Sequence, residues 1–235
     1  MKILETVLKY DGYTRTEGID VSPSEITSKS NYQRWLAKNN TPQTYKLPVD
    51  IKVNSVMGTA FHEYASKVLK ESDLNVYSEL PVKGEIAGYK VGGTVDVVYD
   101  YEDTYVIGDF KTFGVFQLKK AMKNNFVDYL PQLSIYSYLY SQSMGIEYSR
   151  LGELYILVTG DSGWFKKEDG GGKTPKYFTE TIELLDKHAV EELVTERMLA
   201  IETEPELDCL KQRWNRCNYC SYECIYRDKD VEDDF

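Results

Sequence analysis

Residues 89–111 read YKVGGTVDVVYDYEDTYVIGDFK, and their reading decides the fold. Valine, isoleucine and tyrosine dominate on either side of the polar knot Asp100 to Asp103. Branched and aromatic side chains favour extended backbone and clustered acidic residues favour a turn, so strands are expected over Tyr89 to Tyr99 and Tyr105 to Lys111. A third extended stretch, Val76 to Val82, is set off by Gly84 and Gly88. The three together predict an antiparallel meander. Asp96 and Asp109 fall inside or at the end of these apolar strands, where an unpaired charge is costly, so each needs a cation, hydrogen bonds or a raised pKa. The strand period of two puts Asp109 and Lys111 on one face and turns Phe110 the other way into the core.

Outward from the hairpin, Ser22-Pro23-Ser24-Glu25 reads as a capping box, with Ser22 as N-cap and Pro23 in the first helical position. A helix is expected from there to about Lys38. Pro42, Pro48 and a lack of periodic apolar positions mark residues 39–55 as a connecting loop. From Gly58 to about Glu71, Phe61, Ala65, Val68 and Leu69 recur at helical spacing. Residues 117–143 are again helical in pattern, Leu151 to Thr159 and Lys176 to Leu184 are strand-like, and Lys187 to Ile201 is a helix. The order predicts an α/β protein, a mixed sheet flanked by helices. Gly170-Gly171-Gly172-Lys173-Thr174 resembles the end of a phosphate-binding loop but has Lys167 where the first glycine is needed, so it reads as a hairpin connection.

The spacing of Asp109 and Lys111 suits phosphodiester hydrolysis. That reaction needs a hard cation, held by oxygen ligands, to stabilise the transition state and acidify the attacking water. A lysine beside it can orient that water and stabilise the developing charge. A lone D-x-K is more often a surface ion pair. Here it is accompanied by Gly58-Thr59-Ala60-Phe61-His62 on the preceding helix, Asp96 after a Gly-Gly strand, and Gln132-Leu133-Ser134-Ile135-Tyr136 on the following helix. In order and spacing this set resembles the RecB-like PD-(D/E)XK nucleases, over roughly residues 21–226.

The resemblance implies a restriction-endonuclease-like α/β core that cuts DNA with Mg2+ or Mn2+, acting as an exonuclease on single strands or duplex ends. It implies catalytic roles for His62, Asp96, Asp109 and Lys111, with Gln132 and Tyr136 positioning the site and DNA. His62, Glu79, Asp96, Asp109 and Phe110 would form the metal-ligating set. Valine, and no proline, precedes Asp96, a departure that RecB-like members tolerate. Glycine at position 58, one turn before His62, removes bulk where a metal or phosphate would approach. Two other readings share the fold: a CRISPR spacer-processing nuclease, and an inactive nucleic-acid-binding or assembly module. Recombination, replication or CRISPR adaptation proteins are the protein partners these readings imply.

All four cysteines lie between Cys209 and Cys224, as Cys209 and Cys217-x2-Cys220-x3-Cys224. Such clustering suits one metal centre better than disulfides spread over a secreted fold, and four thiolates can hold a 4Fe-4S cluster or Zn2+. Trp214-x2-Cys217-x2-Cys220 resembles the tail of the iron-sulfur members of the family, which usually supply one cysteine from before the first helix; residues 28–32 here have none. The expected organisation is a nuclease domain over residues 1–204 and a small metal-bound, cysteine-rich C-terminal segment over 205–235, packed on the same domain. No run approaches the roughly 20 apolar residues of a membrane span, and Glu5 interrupts the only candidate signal-peptide core, so a cytoplasmic location without membrane association is expected. The net charge of -10 means that contacts to DNA must be local. Lys119, Lys120 and Lys123 form one basic spot, residues 166–176 a second, and Lys211, Arg213 and Arg216 a third.

Overall fold

The computed structural model describes residues 18–28, 30–43, 49–159, 164–165, 172–205 and 222. The chain divides into two compact units, one of residues 1–12, 29–56 and 197–235, the other of residues 13–28 and 57–196. Among the described residues no helix is long and apolar enough to cross a membrane.

The second unit holds a five-stranded mixed sheet. Strands β1 (Val76–Ile86), β2 (Tyr89–Tyr101) and β3 (Thr104–Gly114) form the expected antiparallel meander. Its first hairpin turns at Ala87 and Gly88, both at positive φ, the geometry that matches strand twist. Helices α4 (Val115–Lys123) and α5 (Leu130–Met144) then cross over to β4 (Leu151–Thr159), which pairs parallel with β3. After the small ladder of β5 (Trp164–Phe165) with β6 (Gly172–Lys173), strand β7 (Tyr177–Glu183) closes the order β1-β2-β3-β4-β7. Helix α6 (Lys187–Leu199) follows.

Helix α5 is the centre of the unit: every residue from Leu133 to Ser141 is buried. Serine makes this possible. Ser134 Oγ donates to Leu130 O at 2.7 Å, Ser137 Oγ to Ser149 O at 2.6 Å and Ser141 Oγ to Tyr138 O at 2.9 Å, so the buried hydroxyls keep their hydrogen bonds. At its far end Gln142 clamps β1, accepting from Glu85 N and donating to Glu85 O, both at 3.0 Å. Gly108 serves the opposite side of the sheet. A Cβ there would stand 2.6 Å from Tyr155 Cε2, and the Tyr155 ring packs against Phe110 at 5.5 Å.

Three expectations need correction. The first helix is two: α1 (Pro23–Ser28), with the expected Ser22/Glu25 box, and α2 (Asn31–Lys38), which starts anew because Ser30 and Gln33 form a second capping box. The loop after it ends early, since α3 runs from Val49 to Glu71. Val53, Val56 and Met57 are exposed, and Pro42 and Pro48 marked residues 39–55 as a loop. The stretch 117–143 is also divided, by a turn in which Asn125 and Phe126 adopt positive φ. In the first unit, Arg34 ties α2 to the end of α6 by donating to Arg197 O at 2.6 Å.

Gly108→Val should therefore destabilise the protein by about 1 to 3 kcal/mol, because both the Tyr155 ring and Val97 Cβ, 3.2 Å from the built Cβ, must give way. Gly114→Ser meets open space at an uncapped helix start and should be neutral or stabilising. Chemical denaturation of the two variants checks the contrast.

Candidate active site

The site forms where two strands part. The β2–β3 ladder runs from Tyr101↔Thr104 to Val97↔Gly108 and stops, while β3 stays paired with β4 as far as Gly114. At the next step the Asp96 side chain replaces the ladder: its Oδ2 accepts the Phe110 N–H at 2.8 Å. This fork places the carboxylates of Asp96 and Asp109 between neighbouring strands.

On the other side of β2, the ladder to β1 passes from Ser78↔Val97 to Leu80↔Val95 and skips the position where Glu79 stands opposite Asp96. Glu79 has φ of 53°, and among the described non-glycine residues at positive φ it alone lies within a strand. A left-handed glutamate costs on the order of 1–3 kcal/mol and persists only where its surroundings impose it. Glu79, Asp96 and His62 each offer a ligand atom, all within 4.8 Å of one another.

His62 comes from α3. Its Nδ1 lies 3.3 Å from Asp96 Oδ2, and its ring and that of Phe61 meet Phe110 edge-on at 5.9 and 5.5 Å. Thus Phe110 braces the helix with its ring and Asp96 with its N–H. An added Cβ at Gly58 would make an ordinary 3.5 Å contact with Thr112 Oγ1.

Asp109 is buried, 4% exposed. Its Oδ1 accepts from Gln132 Nε2 at 3.4 Å, and its Oδ2 has the Lys111 ammonium at 2.5 Å as an ion-pair partner, with no hydrogen bond besides. Gln132 thus reaches the site from the first turn of α5. Tyr136, one turn on, lies over β2, where a Cβ at Gly93 would stand 3.1 Å from its ring and hydroxyl.

The electrostatics share one sign. The hydrogen bond to Asp96 raises the His62 pKa against the effect of burial. Burial, then Asp96, raises that of Glu79. Burial raises Asp109 despite Lys111, and although burial alone would lower Lys111, the Asp109 carboxylate takes it upward. Each of these shifts favours retaining a proton, through burial for Glu79 and Asp109, the Asp96 hydrogen bond for His62 and the Asp109 carboxylate for Lys111.

Tyr129 is a residue that sequence reasoning missed. It sits one turn before Gln132, at the start of α5, with its ring 5.4 Å from Phe113 and its hydroxyl accepting from Gln117 Nε2 at 3.5 Å. The charges of Lys111 and Asp109 act on it. The spacing to Gln132 was the available signal.

Cys209, Cys217, Cys220 and Cys224 lie outside the described residues. Tyr222, between the last two, is buried and accepts from Gln43 Nε2 at 3.4 Å.

The family model of the PD-(D/E)XK nuclease superfamily matches residues 54–225. No curated protein matches. Among solved structures, SSO0001 is similar, with a TM-score of 0.58 and 16% identity over 96% of this chain and 93% of that one. At that identity the likeness is one of fold. A protein of Eubacterium rectale described as "Putative exonuclease" also aligns, with a TM-score of 0.35 and 13% identity over 89% of this chain and 90% of that one. The match spans more than half of the sequence and includes His62, the strand fork and both helices behind it, so the chain belongs to the PD-(D/E)XK nuclease superfamily.

Proposed function

We propose that this nuclease is a RecB-like deoxyribonuclease that uses Mg2+ or Mn2+ and acts as an exonuclease in DNA recombination, repair or replication. The observation that supports this reading best is the convergence of His62, Glu79 and Asp96 beside the buried Asp109–Lys111 pair at the fork.

The donor set fits a divalent cation. It offers carboxylate oxygens and one imidazole, which suit Mg2+ and Mn2+. Among the described residues the buried Asp109 Oδ2 has the Lys111 ammonium as its one partner, and the pKa values of Glu79 and Asp109 are raised by burial first and that of His62 by its hydrogen bond to Asp96. His62, Glu79, Asp96 and Asp109 would hold the ion, with Phe110 contributing from its place between them. When bound, the cation would acidify a water and neutralise charge on the phosphate. Lys111 donates into the same space and would steady the attacking water or a phosphate oxygen. Gln132 fixes the Asp109 carboxylate, while Asp96 holds the His62 ring in orientation.

We also read Cys209, Cys217, Cys220 and Cys224 as ligands of one structural centre, a 4Fe-4S cluster or Zn2+, loaded independently of the hard-metal site.

Asp109→Asn and Lys111→Ala should each slow cleavage of end-labelled DNA by at least about a hundredfold with the fold preserved. At neutral pH two effects oppose each other in Asp109→Asn: the cost of the buried carboxylate is removed, and the Lys111 ammonium loses the partner that raises its pKa. A carboxylate whose folded pKa is raised gives stability that is present below its unfolded pKa and lost as pH rises through the folded one, so the ionised form carries a cost. A parental cleavage rate in either variant contradicts the assignment.

His62 binds metal only when neutral, and Asp96 lifts its pKa above the ordinary 6.5. Metal affinity should therefore fall as pH drops through a window centred above that value, and His62→Ala should weaken both metal binding and this pH dependence. Mg2+ titrations at several pH values check both outcomes.

For the cysteines, anaerobically purified protein should contain either iron with broad absorbance near about 400 nm or stoichiometric zinc. Cys217→Ser should lose that metal and lower the melting temperature. Neither metal, with all four thiols freely titratable, rules the centre out.

A further inference from the structure

Helix α4 follows the strand of Asp109 and Lys111 directly: β3 ends at Gly114 and α4 begins at Val115. At strand rise its first turn starts on the order of 10 Å from Lys111. Leu118 and Ala121 are buried, whereas Phe116, Gln117, Lys120 and Lys123 are exposed. Phe116, Lys120 and Lys123 stand at i, i+4 and i+7, so they form one outward stripe opposite the buried pair. Gln117 flanks that stripe and joins it to the site through Tyr129, on which the charges of Lys111 and Asp109 act.

The composition of the stripe is unusual for this chain. The segment VFQLKKAMK contains three lysines and no acidic residue, in a protein of net charge -10. Phe116 is 74% exposed, a large ring presented to water among cations. Lysines alone suit any polyanion. An exposed aromatic ring among them suits a strand whose bases are unpaired, because a duplex keeps the faces of its bases inside the stack and a single strand offers them.

Taking the site as a nuclease centre, we infer that the Phe116–Lys120–Lys123 face of α4 binds single-stranded nucleic acid. A base stacks on Phe116, phosphates lie along Lys120 and Lys123, and the backbone leads past Gln117 and Tyr129 towards Lys111.

The test uses the full chain carrying Asp109→Asn, so that bound DNA is not consumed, with fluorescence anisotropy on a labelled single-stranded oligonucleotide and on a blunt duplex. Lys120→Gln/Lys123→Gln should weaken single-strand binding on the order of tenfold and lower the slope of log affinity against log salt by about 1.4, two contacts' worth. Phe116→Ala should weaken single-strand binding on the order of tenfold and leave duplex binding unchanged, with Phe116→Trp restoring it. The variants should melt with the parent. Lys83→Gln/Lys90→Gln, the same charge change on the β1–β2 hairpin, should have little effect. Parental affinity in the α4 variants, equal loss in the hairpin control, or equal loss of duplex binding in Phe116→Ala overturns the inference. The unsubstituted enzyme, assayed for cleavage with Mn2+, separates this from the nuclease reading. Binding through α4 without cleavage contradicts the nuclease reading alone. Cleavage whose KM ignores the α4 substitutions overturns the present inference alone.

Discussion

The Asp96 carboxylate takes the place of a backbone hydrogen bond, and much of the site depends on that exchange. By accepting the Phe110 N–H it satisfies a donor that the parting strands would otherwise leave unpaired, and the same oxygen faces His62. One carboxylate therefore sets the fork, orients the imidazole and holds Phe110 where its ring braces α3. The cost is electrostatic. Glu79 and Asp109 are drawn in beside it, and burial, with the Asp96 charge, raises the pKa of both despite nearby Lys70, His62 and Lys111.

The rest of the second unit is arranged to hold this costly geometry still. A helix buried on all sides by serine hydrogen bonding brings Gln132 to Asp109 from one direction, while α3 brings His62 from the other. Gly93 and Gly108 let Tyr136 and Tyr155 lie close against the sheet near the fork. Within the described strands, left-handed strain is kept at one place, Glu79, whose surroundings must supply what its own backbone opposes. Rigid support around strained, charged groups gives preorganised electrostatic catalysis, in which charge is stabilised without the protein rearranging at the moment of reaction.

Much of this was legible in the sequence because its signals were local. Stretches rich in valine, isoleucine and tyrosine around Asp96 and Asp109, parted by turn residues, announced the meander, and the D-x-K spacing fixed which side chains share a face. The capping box at Ser22 was read correctly, yet the second at Ser30 was read through, since one cap does not show where a helix ends. The early start of α3 was hidden because Pro42 and Pro48 marked the segment as a loop, although Val49, Val53, Val56 and Met57 are at helical spacing. The strained backbone at Glu79 and the nearness of Tyr129 to Lys111 depend on how strands and helices meet, and short-range pattern carries little of that. The family likeness supplied His62 and Gln132 as candidates; the geometry supplied their partners.

Groups whose pKa values are raised, as those of His62, Glu79 and Asp109 are, give up protons to a cation wherever they are still protonated. The direct measurement is calorimetric titration of the protein with Mn2+ in buffers of different ionisation enthalpy. Saturable binding with net proton release, lost on replacing Asp96 by asparagine, is the result this account predicts. Binding without proton release, or no binding at all, would contradict it.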